Sequence, residues 1–380
     1  MTVRKLRAAL TAILLGTATA TGAALILTAP AAALTVSAKV GPLIKEAQTM
    51  ANAGNYQGAL AKLKEAEAAK SSPDDTTVIN QMRQFIGVKT GDAALGGAAG
   101  AKAKFANDYA AGKWRDVIAD AELLKKNNAF DAQAQLVIAQ AYFKANDFAG
   151  CVRYVKTIPQ SDTALELQAR CAYEAGDEAT QRQAYEALVA RSGKPEYWGG
   201  LLKLGERSRG LSDHNTLDIN RLKLLTGVMQ TKDDYVSLAQ FALQFKLAAE
   251  AQAVMDKGVA AKVLSDDRSM RLLATAKQMA AANLANEPKA LAAAKAAPQG
   301  DDLIAVGENM IGEGKAKDAI GVIQEGLKKP LKDANNGQIR LGQAYLAAGQ
   351  KAEARTAFGK VKAPEKDAMV AHLWSLAASR

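Results

Sequence analysis

Residues 341–364, LGQAYLAAGQKAEARTAFGKVKAP, decide how the rest of this 380-residue chain is read. Leu341, Gly342 and Tyr345 share one face of a helix that Gly349 ends. Ala354 and Phe358 share a face of the next helix, and Pro364 follows it. Residues 302–330, DLIAVGENMIGEGKAKDAIGVIQEGLKKP, repeat the order with Val306, Gly307, Met310, Gly314, Ala319, Ile323 and Pro330, and Gly314 lies 35 residues before Gly349. Each marker has a steric reason. Two helices crossing within about 8–10 Å need a small side chain where their backbones come closest, as Gly342 and Ala354 supply. Tyr345 and Phe358 fill the wedge between neighbouring pairs, and the glycine ends the first helix by accepting a left-handed conformation.

The pattern resembles the tetratricopeptide repeat (TPR), a pair of antiparallel helices about 34 residues long. Further copies have Ala47, Met50, Gly54, Tyr56, Ala59 and Leu63 in register, and Ala139, Tyr142, Asn146, Phe148, Cys151 and Val155. Weaker ones fall at Phe105, Gly112 and Trp114, at Ala169, Gly176 and Tyr185, and at Ala239, Ala251 and Met255. The resemblance implies an all-α fold, a right-handed α-solenoid of antiparallel helix pairs in one or two arrays, covering roughly two thirds of the chain after residue 33. Three stretches depart from it. Residues 90–100, TGDAALGGAAG, predict a short or broken helix. Residues 192–231 hold Pro195, Trp198 and a polar SDHN turn, and residues 264–299 are helical but alanine-dominated and out of register. The expected organisation is therefore a leader (1–33), an N-terminal array (34–191), an irregular helical connector (192–231) and a C-terminal array (232–380). That last array is closed by a capping helix that turns Met369, Leu373 and Trp374 inward.

The leader reads MTVRKLRAALTAILLGTATATGAALILTAPAAA: Arg4, Lys5 and Arg7, an acid-free apolar stretch, then an A-x-A site at Ala31–Ala33. This is the layout of a secretory signal peptide, with a second cleavage site at Ser37–Ala38. Retained, residues 8–29 would be long enough for a membrane anchor. Both readings place the rest of the protein in the periplasm of a Gram-negative-type bacterium, free or anchored to the inner membrane. Cleavage after Ala33 removes three cations, so the net charge falls from +10 to +7. Such a balance does not imply nucleic acid.

The composition excludes other classes. Alanine makes up about a fifth of the chain, which has 20 aromatics, two cysteines and two histidines. A disulfide-stapled scaffold needs more cysteine, and a membrane barrel needs period-2 strands with aromatic girdles. Neither His214 nor His372 has a nucleophile context, GGAAGAK at 96–102 lacks the GK[ST] of a phosphate loop, and no metal-ligand spacing occurs. The expectation is a non-enzyme without cofactor or metal. One enzyme resemblance stands beside it: Gly227-Val228-Met229-Gln230 is similar to a motif of lytic transglycosylases. That chemistry needs a buried glutamic acid, for which Glu206 is the upstream candidate. The alternative function is thus a helical accessory protein or enzyme of cell-wall processing.

Cys151 and Cys171 lie on what should be adjacent helices, 20 residues apart. They read either as a disulfide of an exported protein or as two small core residues. In the repeat family the first helix of each pair lines the concave face. Carried over, this gives Leu136, Gln140 and Phe143, then Glu166, Arg170 and Tyr173 in the next repeat. Ile304 and Glu308, and Ile339 and Gln343, take the same places near the C-terminus. Such a mixture suits an extended peptide or a partner helix, so the expected partner is a protein of the cell envelope, with Phe143 and Tyr173 as anchors.

Overall fold

The computed structural model describes residues 34–380; the leader, cleaved or retained, lies outside them. The described residues form 19 helices and no strand. The fold is all-α, and successive helices pack as TPR-like antiparallel pairs. No described helix is long and apolar enough to cross a membrane. The chain divides into two compact units, the first ending at Asp131 and the second running from Ala132 to Arg380.

The first unit contains α1 (Val40–Asn52), α2 (Tyr56–Ala69), α3 (Pro73–Thr90), α4 (Ala93–Ala110) and α5 (Trp114–Lys126). Ala47, Ala51, Ala59, Leu63 and Ile86 form one core. A Ser72–Asp75 capping box starts α3. The Asp75 carboxylate also accepts the N–H groups of Ser37 (2.8 Å) and Ser71 (2.9 Å), which ties the first described residues to this helix. Those backbone donors hold the carboxyl well below the usual carboxylate range. The glycine-rich stretch breaks at Gly97 (φ +54°) but then runs on as α4 to Ala110, longer than expected. Its glycines serve close packing: a Cβ on Gly87 of α3 would lie 2.2 Å from the Gly96 nitrogen of α4.

The second unit begins with α6 (Ala132–Lys144), α7 (Phe148–Val155), α8 (Asp162–Ala175), α9 (Glu178–Ser192), α10 (Pro195–Glu206) and α11 (Asp213–Leu225). It continues with α12 (Lys232–Gln244), α13 (Ala248–Ala260) and α14 (Asp267–Ala296), then α15 (Asp301–Gly312), α16 (Ala316–Gly326), α17 (Ala334–Ala347), α18 (Lys351–Phe358) and α19 (Glu365–Ala378). The marker residues do what their sizes require. A Cβ on Gly342 would meet the Phe358 ring at 2.4 Å, and one on Gly307 would meet Ile323 at 2.3 Å. Both turn glycines, Gly314 and Gly349, have φ of +80°. Most of residues 264–299 form one long helix, α14 (Asp267–Ala296), with Pro288 inside it.

Residues 192–231, read as an irregular connector between arrays, form α10 and α11 inside the second unit. Helix α10 is apolar on more than one face: Tyr197, Trp198, Leu201, Leu202 and Leu204 are all buried. Tyr197, Trp198, Leu201 and Leu202 share a core with Leu188, Ile219 and Leu222 and with Phe358, Met369, Val370, Leu373 and Trp374. Helix α19 therefore does more than cap the last pair. It packs back on α9 and α11 as well as on α17 and α18. Asn215 donates to Asp367 (3.0 Å), Lys366 to the Gly210 carbonyl (2.6 Å) and Arg380 to the Val189 carbonyl. The C-terminal end of the chain closes against helices some 150–190 residues earlier.

Cys151 on α7 and Cys171 on α8 are joined by a disulfide, both fully buried. The bridge closes a short loop, so its removal by Cys151→Ala/Cys171→Ala should lower stability by about 3 kcal/mol. Urea denaturation of oxidised protein against the double variant measures this, and thiol titration of unfolded, unreduced protein should find no free thiol.

Candidate functional site

The structure gathers part of the expected groove on the first helices α6, α8 and α10. Leu136, Gln140 and Phe143 are half-buried on α6. The Arg170 guanidinium lies 4.8 Å over the Phe143 ring, and Phe148 meets that ring edge-on at 5.4 Å. One face of Phe143 is thus covered by Arg170. Glu166 accepts a hydrogen bond from the Tyr197 hydroxyl at 2.5 Å. Burial and this carboxylate together hold the Tyr197 phenol far above its ordinary value. Glu166 is therefore engaged in joining α8 to α10.

Tyr173 is 55% exposed, the most open of the large apolar side chains among the described residues. It stands at a cleft of about 260 Å³ lined also by Arg170, Glu174, Tyr185, Lys203 and Arg207. Burial raises the Tyr185 phenol, so this ring stays neutral at physiological pH. Three cations against one carboxylate make the cleft electropositive. Lys203 and Arg207 were not among the expected site residues. The signal that finds Arg207, with Lys203 one turn before it, is a spacing: Gly176 and Gly210, both at φ near +70°, lie 34 residues apart. That frame places Gly200, Leu204 and Arg207 where α8 carries Glu166, Arg170 and Tyr173. The missing side chain of Gly200 leaves room for Tyr185, whose ring a Cβ there would meet at 2.4 Å.

The C-terminal half of the expected groove is placed differently. Ile304 (3% exposed) and Ile339 (2%) are core residues and line no groove: Ile304 packs with Ile323 of α16 and Leu341 of α17, and Ile339 joins the core that α19 completes. Glu308 and Gln343 belong to a buried ionic network. Arg340, fully buried, donates to both oxygens of Asp218 at 2.6 Å and to Gln343 Oε1 at 2.6 Å. Gln343 donates to Asp218 at 2.8 Å. Arg221 donates in bidentate fashion to Glu250 and reaches Glu308 Oε1 at 2.9 Å, 3.1 Å from which lies the Arg340 guanidinium. Burial works to raise the Asp218 carboxyl, but Arg340 and Arg221 outweigh it and hold it below the usual range. Burial likewise opposes the charge on Arg221, and Glu250 with Glu308 overcomes it.

His214 begins α11 rather than lying in a loop. Its ring packs 4.4 Å from Phe245, and burial lowers its pKa. His372 is half-exposed and pairs with Glu186 at 3.1 Å, which raises its pKa. Glu206 is exposed and ion-paired with Lys223, whereas a general acid of the transglycosylase kind must be buried. Gly227–Gln230 lie in the turn after α11. No group of three or more potential metal ligands comes together among the described residues.

No family model matches the chain. No curated protein matches it either. Several solved helical structures are similar at low identity. A structure of Naa15/Naa10 bound to HypK-THB is 13% identical over 83% of this chain and 51% of that one, with a TM-score of 0.34. A tetratricopeptide repeat protein from Parabacteroides merdae is 11% identical over 90% and 99% of the two chains (TM-score 0.20), and the APC/C hetero-tetramer Cut9–Hcn1 10% over 88% and 66% (0.23). The chain spans about half the length of the first of these. At such scores the likenesses carry no argument about partners.

Proposed function

We propose that the protein is a non-enzymatic docking scaffold of a bacterial cell envelope, holding an acidic segment of a partner protein in the cleft between α8 and α10. The observation that carries this reading is the exposed Tyr173 ring set among Arg170, Lys203 and Arg207. An aromatic anchor supplies contact area, and surrounding cations steer and select an anionic partner. Export is supported by Arg4, Lys5 and Arg7 ahead of an acid-free apolar stretch, and by the Cys151–Cys171 bridge, which suits an oxidising compartment.

A panel of dye-labelled ten-residue peptides, matched in length but differing in net charge and aromatic content, tests the cleft by fluorescence anisotropy. Acidic peptides should bind best. Tyr173→Ala and Arg207→Glu should each weaken them by about tenfold or more while leaving the helical circular dichroism unchanged. Equal binding of acidic and basic peptides, or no effect of either substitution, would remove the cleft from consideration. N-terminal sequencing of protein recovered from a periplasmic fraction checks the export reading, with Leu34 as the expected first residue.

A further inference from the structure

A second cavity, of about 330 Å³, lies among α11, α13, α15, α17 and α19, away from the cleft that holds Tyr173. One wall is ionic, with Arg221, Glu250 and Glu308. The other is apolar, with Leu225, Leu346 and Trp374. The ionic wall has more negative charge than its own cations neutralise. Three carboxylates (Asp218, Glu250, Glu308) face two guanidiniums (Arg221, Arg340). Glu308 places Oε1 against both guanidiniums, yet its Oε2 has no hydrogen-bond partner among the described residues, although the residue is only 7% exposed. That oxygen is not fully enclosed, so a cation entering the cavity can pair with it directly.

The apolar wall defines what kind of cation fits. Trp374 (5% exposed) offers an aromatic surface, and its indole N–H has no acceptor. Leu346 flanks the space, and Leu225 is 54% exposed. Lysine and arginine combine a charged head with an aliphatic stem that packs on apolar surface, and either head gains from an adjacent tryptophan. At the lower end of ligand-pocket sizes, the cavity has room for one such side chain rather than for a folded element. The exposed Leu225 gives apolar surface to residues next to the cation, which a polypeptide possesses and a free polyamine lacks. We propose that this cavity receives a single basic side chain, lysine or arginine, presented by a partner polypeptide. It is a second docking point, opposite in charge preference to the cleft at Tyr173.

The probes are dye-labelled, end-blocked pentapeptides Leu-Gly-Xaa-Gly-Leu with Xaa as arginine, lysine or citrulline, titrated against the full chain. The arginine and lysine peptides should bind saturably, and citrulline, which keeps the arginine shape without its charge, about tenfold more weakly or worse. Glu308→Gln should abolish that preference, and Tyr173→Ala should leave it intact. Because Glu308 is buried, a second variant guards against misfolding: Ala347→Arg, at an exposed position lining the cavity, places a tethered cation there and should block the peptides without lowering the melting temperature. Equal binding of arginine and citrulline peptides, absence of binding, or full binding by a folded Ala347→Arg variant would overturn the proposal. Displacement by spermidine at equal concentration would also overturn it, assigning the cavity to a free polyamine.

Discussion

Replacing Arg340 by methionine is expected to lower the stability of the second unit by about 3–5 kcal/mol, the cost of breaking a buried ion pair from one side. Arg340 has no exposed surface and makes a bidentate pair with Asp218, itself 1% exposed. Without it, Asp218, Glu250 and Glu308 would share one guanidinium, that of Arg221, with little water to screen them. The double variant Asp218→Leu/Arg340→Met should recover most of the loss, because two apolar side chains of similar size remove the desolvation penalty along with the attraction. The loss should also shrink with acid. The Asp218 pKa is depressed in the fold, so its contribution is present above the unfolded value near 4 and disappears as the pH falls through the folded value. Urea titrations in a Trp114→Phe background report this unit alone, since the remaining tryptophans, Trp198 and Trp374, both lie in it. A single-variant loss under about 1 kcal/mol, the range of exposed pairs, would mean that the network is solvated.

Ending the chain at Ala363 is expected to unfold much of the second unit, not merely fray its end. Helix α19 buries Met369, Val370, Leu373 and Trp374. At about 1.5–3 kcal/mol for each side chain, that burial is on the order of 8 kcal/mol, comparable with the whole stability of an ordinary domain. The distribution of the loss is the sharper test. In an open array with a simple cap, only the neighbouring pair α17–α18 would lose amide protection. In the closed arrangement, α9, α10 and α11 lose it as well, because Leu188, Trp198 and Ile219 share the core that α19 completes. Hydrogen exchange of the truncated chain separates the two outcomes, and unchanged protection in α9–α11 would refute closure.

The groove was legible where its signal is local. Arg170 and Tyr173 fall at the cleft because one helix face can be read from spacing within a single repeat. Lys203 and Arg207 were hidden by the Pro195–Trp198 stretch, which looks irregular when only helix lengths are compared, although the 34-residue step from Gly176 to Gly210 keeps the register. Ile304, Glu308, Ile339 and Gln343 hold the same repeat positions as true groove residues. No local pattern distinguishes them, since what buries Glu308 and Gln343 is the ion pairing with α11, and what buries Ile339 is the core completed by α19.

The sequence by itself determined the helix pairs, their turns and their close crossings. Gly342 against Phe358 and Gly307 against Ile323 are contacts within one repeat, set by side-chain size at neighbouring positions. Only the tertiary structure decided that the second unit closes on itself. Closure depends on the small rotation between successive pairs, accumulated over many helices, and no single repeat specifies that sum. It is closure that joins Asp218 to Arg340 across 122 residues and turns residues that read as a solvated face into a buried network beside a cavity.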